Sequence, residues 1–305
     1  MKKIFITGGN GFLGKFLIKE LKNDYIITAP SSKKCNLLNF NDLKRVKKKF
    51  DYIFHLAAWT QAGDFCLKYP GDQWIINQQI NTNILKWWKD YNPQAKLVFI
   101  GTSCSYPENK KLIEENYSKD EPISSLYTYA MTKRMLLQGA KALQIQYGMK
   151  WLCLVPSTLY GPFYHNDKRQ MHFIFDLIHK ILRGKHFNKK VVLWGNGYQK
   201  REIIHVKDFA KFTKKIFIKQ KNKIINIGAG KDYTIREFAK KISKITKYTN
   251  QKIIYDKSKY VGSKSKKLEI KRILKLYPTY KKSLINLDQG LTETIKWFKK
   301  EYFNL

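Results

Sequence analysis

A chain of 305 residues that is 43% hydrophobic and 14% aromatic can bury a sizeable core as one large domain or two unequal ones, which excludes a small disulfide scaffold and a disordered polymer. Its formal charge of +36 is almost all lysine spread along the whole chain, so it argues for a solvated basic surface that attracts small anions, and against a nucleic-acid binder. No run approaches the roughly 20 apolar residues that span a bilayer, and Cys35, Cys66, Cys104 and Cys153 are too scattered for a disulfide framework or a metal site, so a reducing cytoplasm is expected, with no membrane, no nucleic acid and no metal.

Lys3 to Thr7 reads as a first strand rather than a signal peptide, because it passes straight into a glycine-rich turn. Phe12 to Leu21 then has helical spacing. Candidate strands follow at Tyr25 to Thr28 and Tyr52 to Leu56, then a helix at Ile75 to Tyr91 and a strand at Lys96 to Ile100. A helix at Tyr127 to Gln146 runs to a Gly148 stop, and Trp151 to Pro156 is the next strand. This alternation predicts an α/β protein, a Rossmann-type doubly wound parallel sheet built from βα units.

Beyond Pro156 the pattern is mixed. A turn is expected at Tyr160-Gly161-Pro162, a helix near Met171 to Leu182, and strands at Val191 to Trp194 and Lys223 to Ile227. Thr234-Ile235-Arg236-Glu237 fits a capping box opening a helix through Ile245, and Leu291 to Phe298 is a last amphipathic helix. The expected division is a Rossmann domain over residues 1–160, with a returning segment near 203–229, and a smaller, interleaved C-terminal α/β substrate domain over 161–305.

Thr7-Gly8-Gly9-Asn10-Gly11-Phe12-Leu13-Gly14 sits between the first strand and first helix, with Gly8, Gly11 and Gly14 at GxxGxxG spacing. Glycines allow a tight turn and close backbone approach, and the helix N-terminus offers unpaired N–H groups to a pyrophosphate. The competing reading is a turn that merely packs helix on sheet. At the end of the second strand, where an acidic side chain would bind the ribose of NAD, stand Ser31, Ser32, Lys33 and Lys34. Hydroxyls and ammonium groups without a carboxylate favour NADP(H), with NAD(H) as the alternative.

Tyr129 and Lys133 lie four apart, hence on one helix face, where an ammonium lowers the pKa of a phenol and fits it to pass a proton to a carbinol oxygen while a nicotinamide exchanges hydride. Gly101-Thr102-Ser103-Cys104-Ser105-Tyr106-Pro107 ends a strand, where open α/β sheets bind ligands.

In order and separation, the glycine loop, hydroxyl segment and YxxxK resemble the extended short-chain dehydrogenase/reductases. The likeness continues through His55-Leu56-Ala57-Ala58, Asn77, Pro156-Ser157-Thr158-Leu159-Tyr160-Gly161-Pro162, Trp194-Gly195 and Arg201-Glu202, and so covers nearly the whole chain. It implies that Phe12, Leu13, Asn36 and Leu37 border the cofactor, as do Leu56, Ala57, Ala58 and Asn77, and then Pro156, Thr158 and Leu159.

Within that superfamily the chain is most similar to the GDP-L-fucose synthase family. That resemblance implies Thr102 as the catalytic hydroxyl beside Tyr129 and Lys133. Cys104 and His172, ten residues beyond Pro162, take the places of the base and acid that epimerise carbons next to a keto group. It further implies Arg201 and Lys180 on a substrate diphosphate, Trp194 in the nucleotide pocket, a GDP-linked keto-sugar as substrate, and a homodimer. The sequence departs from the family at Trp59-Thr60-Gln61-Ala62-Gly63-Asp64, a loop expected to border the sugar. An NAD-dependent 4-epimerase or dehydrogenase, or a non-catalytic NADP-binding regulator, are the competing functions.

Overall fold

The computed structural model describes residues 1–46, 49–167, 169–248, 253–258 and 264–303. Its main sheet has six parallel strands. In chain order they are β1 (Lys3–Thr7), β2 (Ile26–Thr28), β3 (Tyr52–His55), β4 (Lys96–Ile100), β5 (Trp151–Pro156) and, later, Lys223–Ile227. Ile4, Phe5 and Ile6, Ile53 and Phe54, Leu97 to Phe99 and Leu152 to Val155 are all fully buried, as in strands covered on both faces.

Among the described residues this half holds the α-helices α1 (Phe12–Leu21), α2 (Phe40–Lys44), α3 (Phe65–Lys68), α4 (Pro70–Tyr91) and α5 (Tyr127–Tyr147). Helix α4 starts five residues before the sequence reading places it. Pro70, in the first helical turn, suits that start, and a buried polar row, Gln73, Asn77 and Asn81, interrupts the apolar periodicity that marks a helix. Helix α5 ends where expected, with Gly148 at φ +66° donating to Gln144 O at 2.9 Å.

The second half holds β6 (Thr158–Tyr160), α6 (Phe173–Phe187), β7 (Val192–Trp194), β8 (Lys200–His205) and α7 (Val206–Ile216). It continues with β9 (Lys223–Ile227), β10 (Asp232–Thr234) and α8 (Ile235–Thr246). Last come β11 (Ile254–Asp256), β12 (Ser265–Lys266), α9 (Lys271–Leu276) and α10 (Leu287–Phe303). Helices α6 and α10 both run longer than their apolar spacing indicates. The capping box at Thr234 and Glu237 forms as expected. Strand β8 and helix α7 carry no sequence expectation, because lysines at 207, 211, 214 and 215 mask the buried row Val206, Phe209, Phe212, Thr213 and Ile216.

The order of the main sheet is β2-β1-β3-β4-β5-β9, so it reverses direction between β1 and β3. That switch point places the carboxyl ends of β1, β3, β4 and β5 along one crevice. A second sheet, β10-β8-β12 with β6 beside β8, and the ribbon β11-β7 stand over it. Beneath them Ile174, Phe175, Ile178, Phe238, Ile242 and Phe298 form a separate core. Strand β9 returns to the main sheet and α7 packs on α1, so the two halves interleave. No helix among the described residues is long and apolar enough to cross a membrane.

Lys96 holds one edge of this arrangement, since its buried Nζ donates to the carbonyls of Phe217, Ile218 and Gln220 at 2.8, 2.6 and 3.1 Å, just beyond α7. Lys96→Met strands those carbonyls and is expected to remove about 3 kcal/mol of stability, read as a fall in Tm of several degrees. An unchanged Tm would show that water satisfies the carbonyls equally well.

Candidate active site

The glycine loop is built by close approach. Gly8 adopts φ +68°, and a Cβ there would stand 2.9 Å from Ala57 N; one on Gly14 would stand 2.6 Å from Gly9 O. Gly11 N donates to Gly8 O at 3.0 Å, closing the turn at the helix start. No side chain caps α1, so its first N–H groups are left for a ligand, which fits a dinucleotide pyrophosphate.

Thr7 ties this loop to β3. Its hydroxyl accepts from the N–H groups of Leu56 and Ala57, each at 3.2 Å, and pairs with His55 Nδ1 at 2.8 Å. His55 Nε2 meets Asn81 Oδ1 at 3.2 Å, which assigns the ring proton to Nε2 and makes Thr7 the donor to Nδ1. Burial, reinforced by the Lys133 charge, pulls this imidazole down to about 3, so it stays neutral.

Around the loop, the residues expected at the cofactor divide by what they touch. Ser31 is half-buried, while Ser32, Lys33 and Lys34 are exposed on a turn closed by Lys34 N and Cys35 N onto Ser31 O, each at 3.0 Å. Asn36 is exposed, its N–H on Asp42 Oδ2 at 2.9 Å and its Oδ1 accepting from Leu38 N, and Leu37 packs on the core while its carbonyl accepts from Asn83. Phe12 packs its ring against Tyr164 at 5.2 Å and Phe175 at 5.9 Å, joining the two halves, and Leu13 packs beside it. Asn77 is buried with its amide spent on Trp59 N, Trp59 O and Gln73 O at 2.9, 2.9 and 2.8 Å. It therefore clamps the loop after β3. Pro156 closes β5, and Thr158 and Leu159 lie on β6 beside Ile203 and Ile204.

Thr102 caps a short turn over Ser103–Ser105, its hydroxyl accepting from Cys104 N at 3.2 Å and its N–H donating to Tyr117 OH at 3.2 Å. The same hydroxyl stands close enough to the Tyr129 phenol to favour its ionised form. Lys133 Nζ lies 6.0 Å from the Tyr129 ring centroid. Burial dominates both groups: it raises the phenol well above its ordinary value, with the Cys104 and Cys66 sulfurs adding and Thr102 opposing, and it pulls Lys133 down to about 8. Desolvation therefore outweighs the lowering expected for Tyr129, and Thr102 is the contact that opposes it.

Cys104 is nearly buried, beside Ile123 and Ala130, and its Sγ accepts from Lys266 Nζ at 3.6 Å. His172 precedes α6; its surface is open, yet crowding by protein atoms strips solvation and pulls it down to about 4, with the His165 and Lys266 charges assisting. The divergent loop reaches the same region: Asp64 Oδ1 accepts from Gln170 Nε2 at 2.6 Å, and a Cβ on Gly63, at φ +69°, would meet Gln170 Oε1 at 2.5 Å.

Farther out, Trp194 ends β7 with its indole half exposed, and Lys180 Nζ stands 5.9 Å from that ring while paired to Asp176 at 2.8 Å. Arg201 lies in β8 in register with Lys266 of β12. Gln73, Asn81, Tyr117 and Lys266 escape the sequence reading. The spacing of Gln73, Asn77 and Asn81, four apart on one helix face, is the signal that points to the first two.

Comparison with known proteins follows the same lines. The family model described as the NAD dependent epimerase/dehydratase family matches residues 4–228. The GDP-L-colitose synthase of Yersinia pseudotuberculosis is 31% identical over 99% of this chain and 99% of its own length. The GDP-L-fucose synthase of Escherichia coli (strain K12) is 27% identical over 97% of this chain and 96% of its own. Among solved structures, a GDP-L-fucose synthetase from Naegleria fowleri bound to NADP shares the fold, with a TM-score of 0.87 at 24% identity over 99% of this chain and 93% of that one.

Proposed function

The chain belongs to the NAD dependent epimerase/dehydratase family, and on that premise we propose that it is an NADP(H)-dependent epimerase-reductase of a GDP-linked 4-keto-6-deoxy sugar. The observation that carries the reading is the meeting of Thr102, Cys104 and Tyr129 at the carboxyl end of β4, with Lys133 one helical turn from the phenol. The relatives named for GDP-L-colitose and GDP-L-fucose synthesis support the GDP-sugar class. Ser31, Ser32, Lys33 and Lys34, with no carboxylate among them, support a 2′-phosphate on the cofactor.

The dinucleotide, when bound, supplies the hydride that reaches C4. Tyr129, kept protonated by burial, gives its proton to the C4 oxygen, and the Thr102 hydroxyl holds that oxygen from the other side. The Lys133 ammonium compensates the phenolate charge left behind. In the epimerising steps the neutral imidazole of His172 takes the proton from a carbon next to the carbonyl, and the Cys104 thiol returns one to the opposite face. This exchanges the roles that the family resemblance implies, because an imidazole lowered to about 4 has no proton to give near neutral pH. Arg201 suits the diphosphate through its guanidinium fork, and Trp194 suits the base through its exposed face. Lys180, already paired to Asp176, adds less.

The protein acts as a homodimer in the cytoplasm in this reading. Support for the dimer comes from Trp74, Ile75, Tyr127 and Met135, large apolar side chains exposed on α4 and α5.

Incubation with GDP-4-keto-6-deoxymannose and NADPH, followed by NMR of the product, tests the assignment. One NADPH is expected to disappear per sugar, with inverted configuration next to C4. Sugar conversion without net NADPH loss would point to a 4-epimerase instead. The keto precursor of GDP-L-colitose is the second substrate to try, because the relative named for that product is 31% identical.

A further inference from the structure

Lys266 comes from the far end of the chain, on a strand of only two residues, yet its ammonium reaches Cys104 Sγ at 3.6 Å across the crevice. The strand is well anchored. Buried Glu202 accepts from Leu268 N at 2.7 Å and from Gly230 N at 2.6 Å, and Ser265 and Lys266 pair with Lys200 and Arg201 of β8. Lys266 is half-buried, and its charge also acts on His172. One ammonium thus bears on both groups assigned to proton transfer.

We propose that Lys266 is a third member of the epimerising site, compensating the negative charge that Cys104 acquires when its sulfur gives a proton to the sugar. The proposal rests on the epimerase-reductase reading. His172 takes the C–H proton and the electron pair moves to the C4 oxygen, giving an enolate held by Thr102 and Tyr129. The pair returns as the Cys104 S–H proton bonds to the opposite face of the carbon. A thiolate remains beside the Lys266 ammonium and an imidazolium at His172, and solvent restores both. A cation at hydrogen-bond distance lowers the barrier to the thiolate, and removing it exposes a nearly buried sulfur to uncompensated charge. Arg201 is the neighbouring cation in register.

Lys266→Met and Lys266→Arg separate this role from simple substrate binding. Two half-reactions are read: deuterium entry from D2O into GDP-4-keto-6-deoxymannose without NADPH, and oxidation of GDP-L-fucose by NADP+, which moves the C4 hydride and the hydroxyl proton but needs no epimerising proton transfer. Lys266→Met is expected to slow deuterium entry at least tenfold while oxidation of GDP-L-fucose stays within threefold, and Lys266→Arg should restore most of the exchange. A matched loss in both half-reactions with a raised KM makes Lys266 a diphosphate contact and overturns the proposal, as does unchanged exchange. Alkylation of Cys104 by iodoacetamide at pH 7.5, followed by peptide mass, needs no sugar and follows the charge on sulfur. It is expected to slow several-fold in Lys266→Met and to be retained in Lys266→Arg. Should the native protein turn over neither sugar while that contrast holds, the substrate reading fails and the charge role at Cys104 stands; absence of the contrast sinks the proposal.

Discussion

Tyr129→Phe is expected to lower NADPH-dependent reduction by at least a thousandfold while leaving NADPH affinity within about threefold, because the hydroxyl removed is the proton source and the ring that remains fills the same space. The native hydroxyl is well placed for the task. Burial holds it protonated, and Thr102 lies beside it. Lys133, at about 8, sets the pH behaviour. Below pH 8 its ammonium is present and kcat should be flat. Above pH 8 the ammonium is lost and kcat should fall toward tenfold per unit, since the phenolate formed in the reaction then has no compensating charge. Substantial turnover by the Phe variant, or a kcat rising through pH 8, would remove Tyr129 and Lys133 from the chemistry.

Gly14→Ala should abolish dinucleotide binding in fluorescence titrations, with affinity for NADPH falling at least a hundredfold. A Cβ at this position meets Gly9 O at 2.6 Å and overlaps Gly8 O, and both are backbone atoms that cannot swing away. Relief requires α1 to lift from the loop, taking its N–H groups out of reach of a pyrophosphate, and costs about 2 kcal/mol of stability. Gly71→Ala is the contrast, since no atom lies within 4 Å of its Cβ and binding should be untouched. NADPH binding by Gly14→Ala at native strength would mean that the loop packs helix on sheet and nothing more.

Much of the Rossmann half is legible in the chain, because each of its signals is local. Strands β1, β4, β5 and β9 and helix α1 lie where apolar runs and glycine punctuation put them. The Tyr129–Lys133 pair is legible for the same reason, being one turn of one helix. Elements with a polar buried face are not: α4 hides its first turn behind Gln73 and Asn77, and α7 hides its apolar row among lysines. Asn77 carries a family motif, yet its amide is spent on the Trp59 backbone, which only the fold of the 59–64 loop could reveal.

The sequence by itself determined the α/β class, the glycine loop and the Tyr129–Lys133 pair, since spacing along a strand end or a helix face needs no distant partner, while the resemblance of the chain to a family joined Thr102 and Cys104 to that pair. Tertiary structure alone decided which charges those groups feel. Burial is the dominant influence on Tyr129; crowding leaves His172 neutral; and Lys266, 162 residues from Cys104, becomes its neighbour. Protonation depends on desolvation and on charges a few ångströms away in space, and neither quantity is written in the order of residues along the chain.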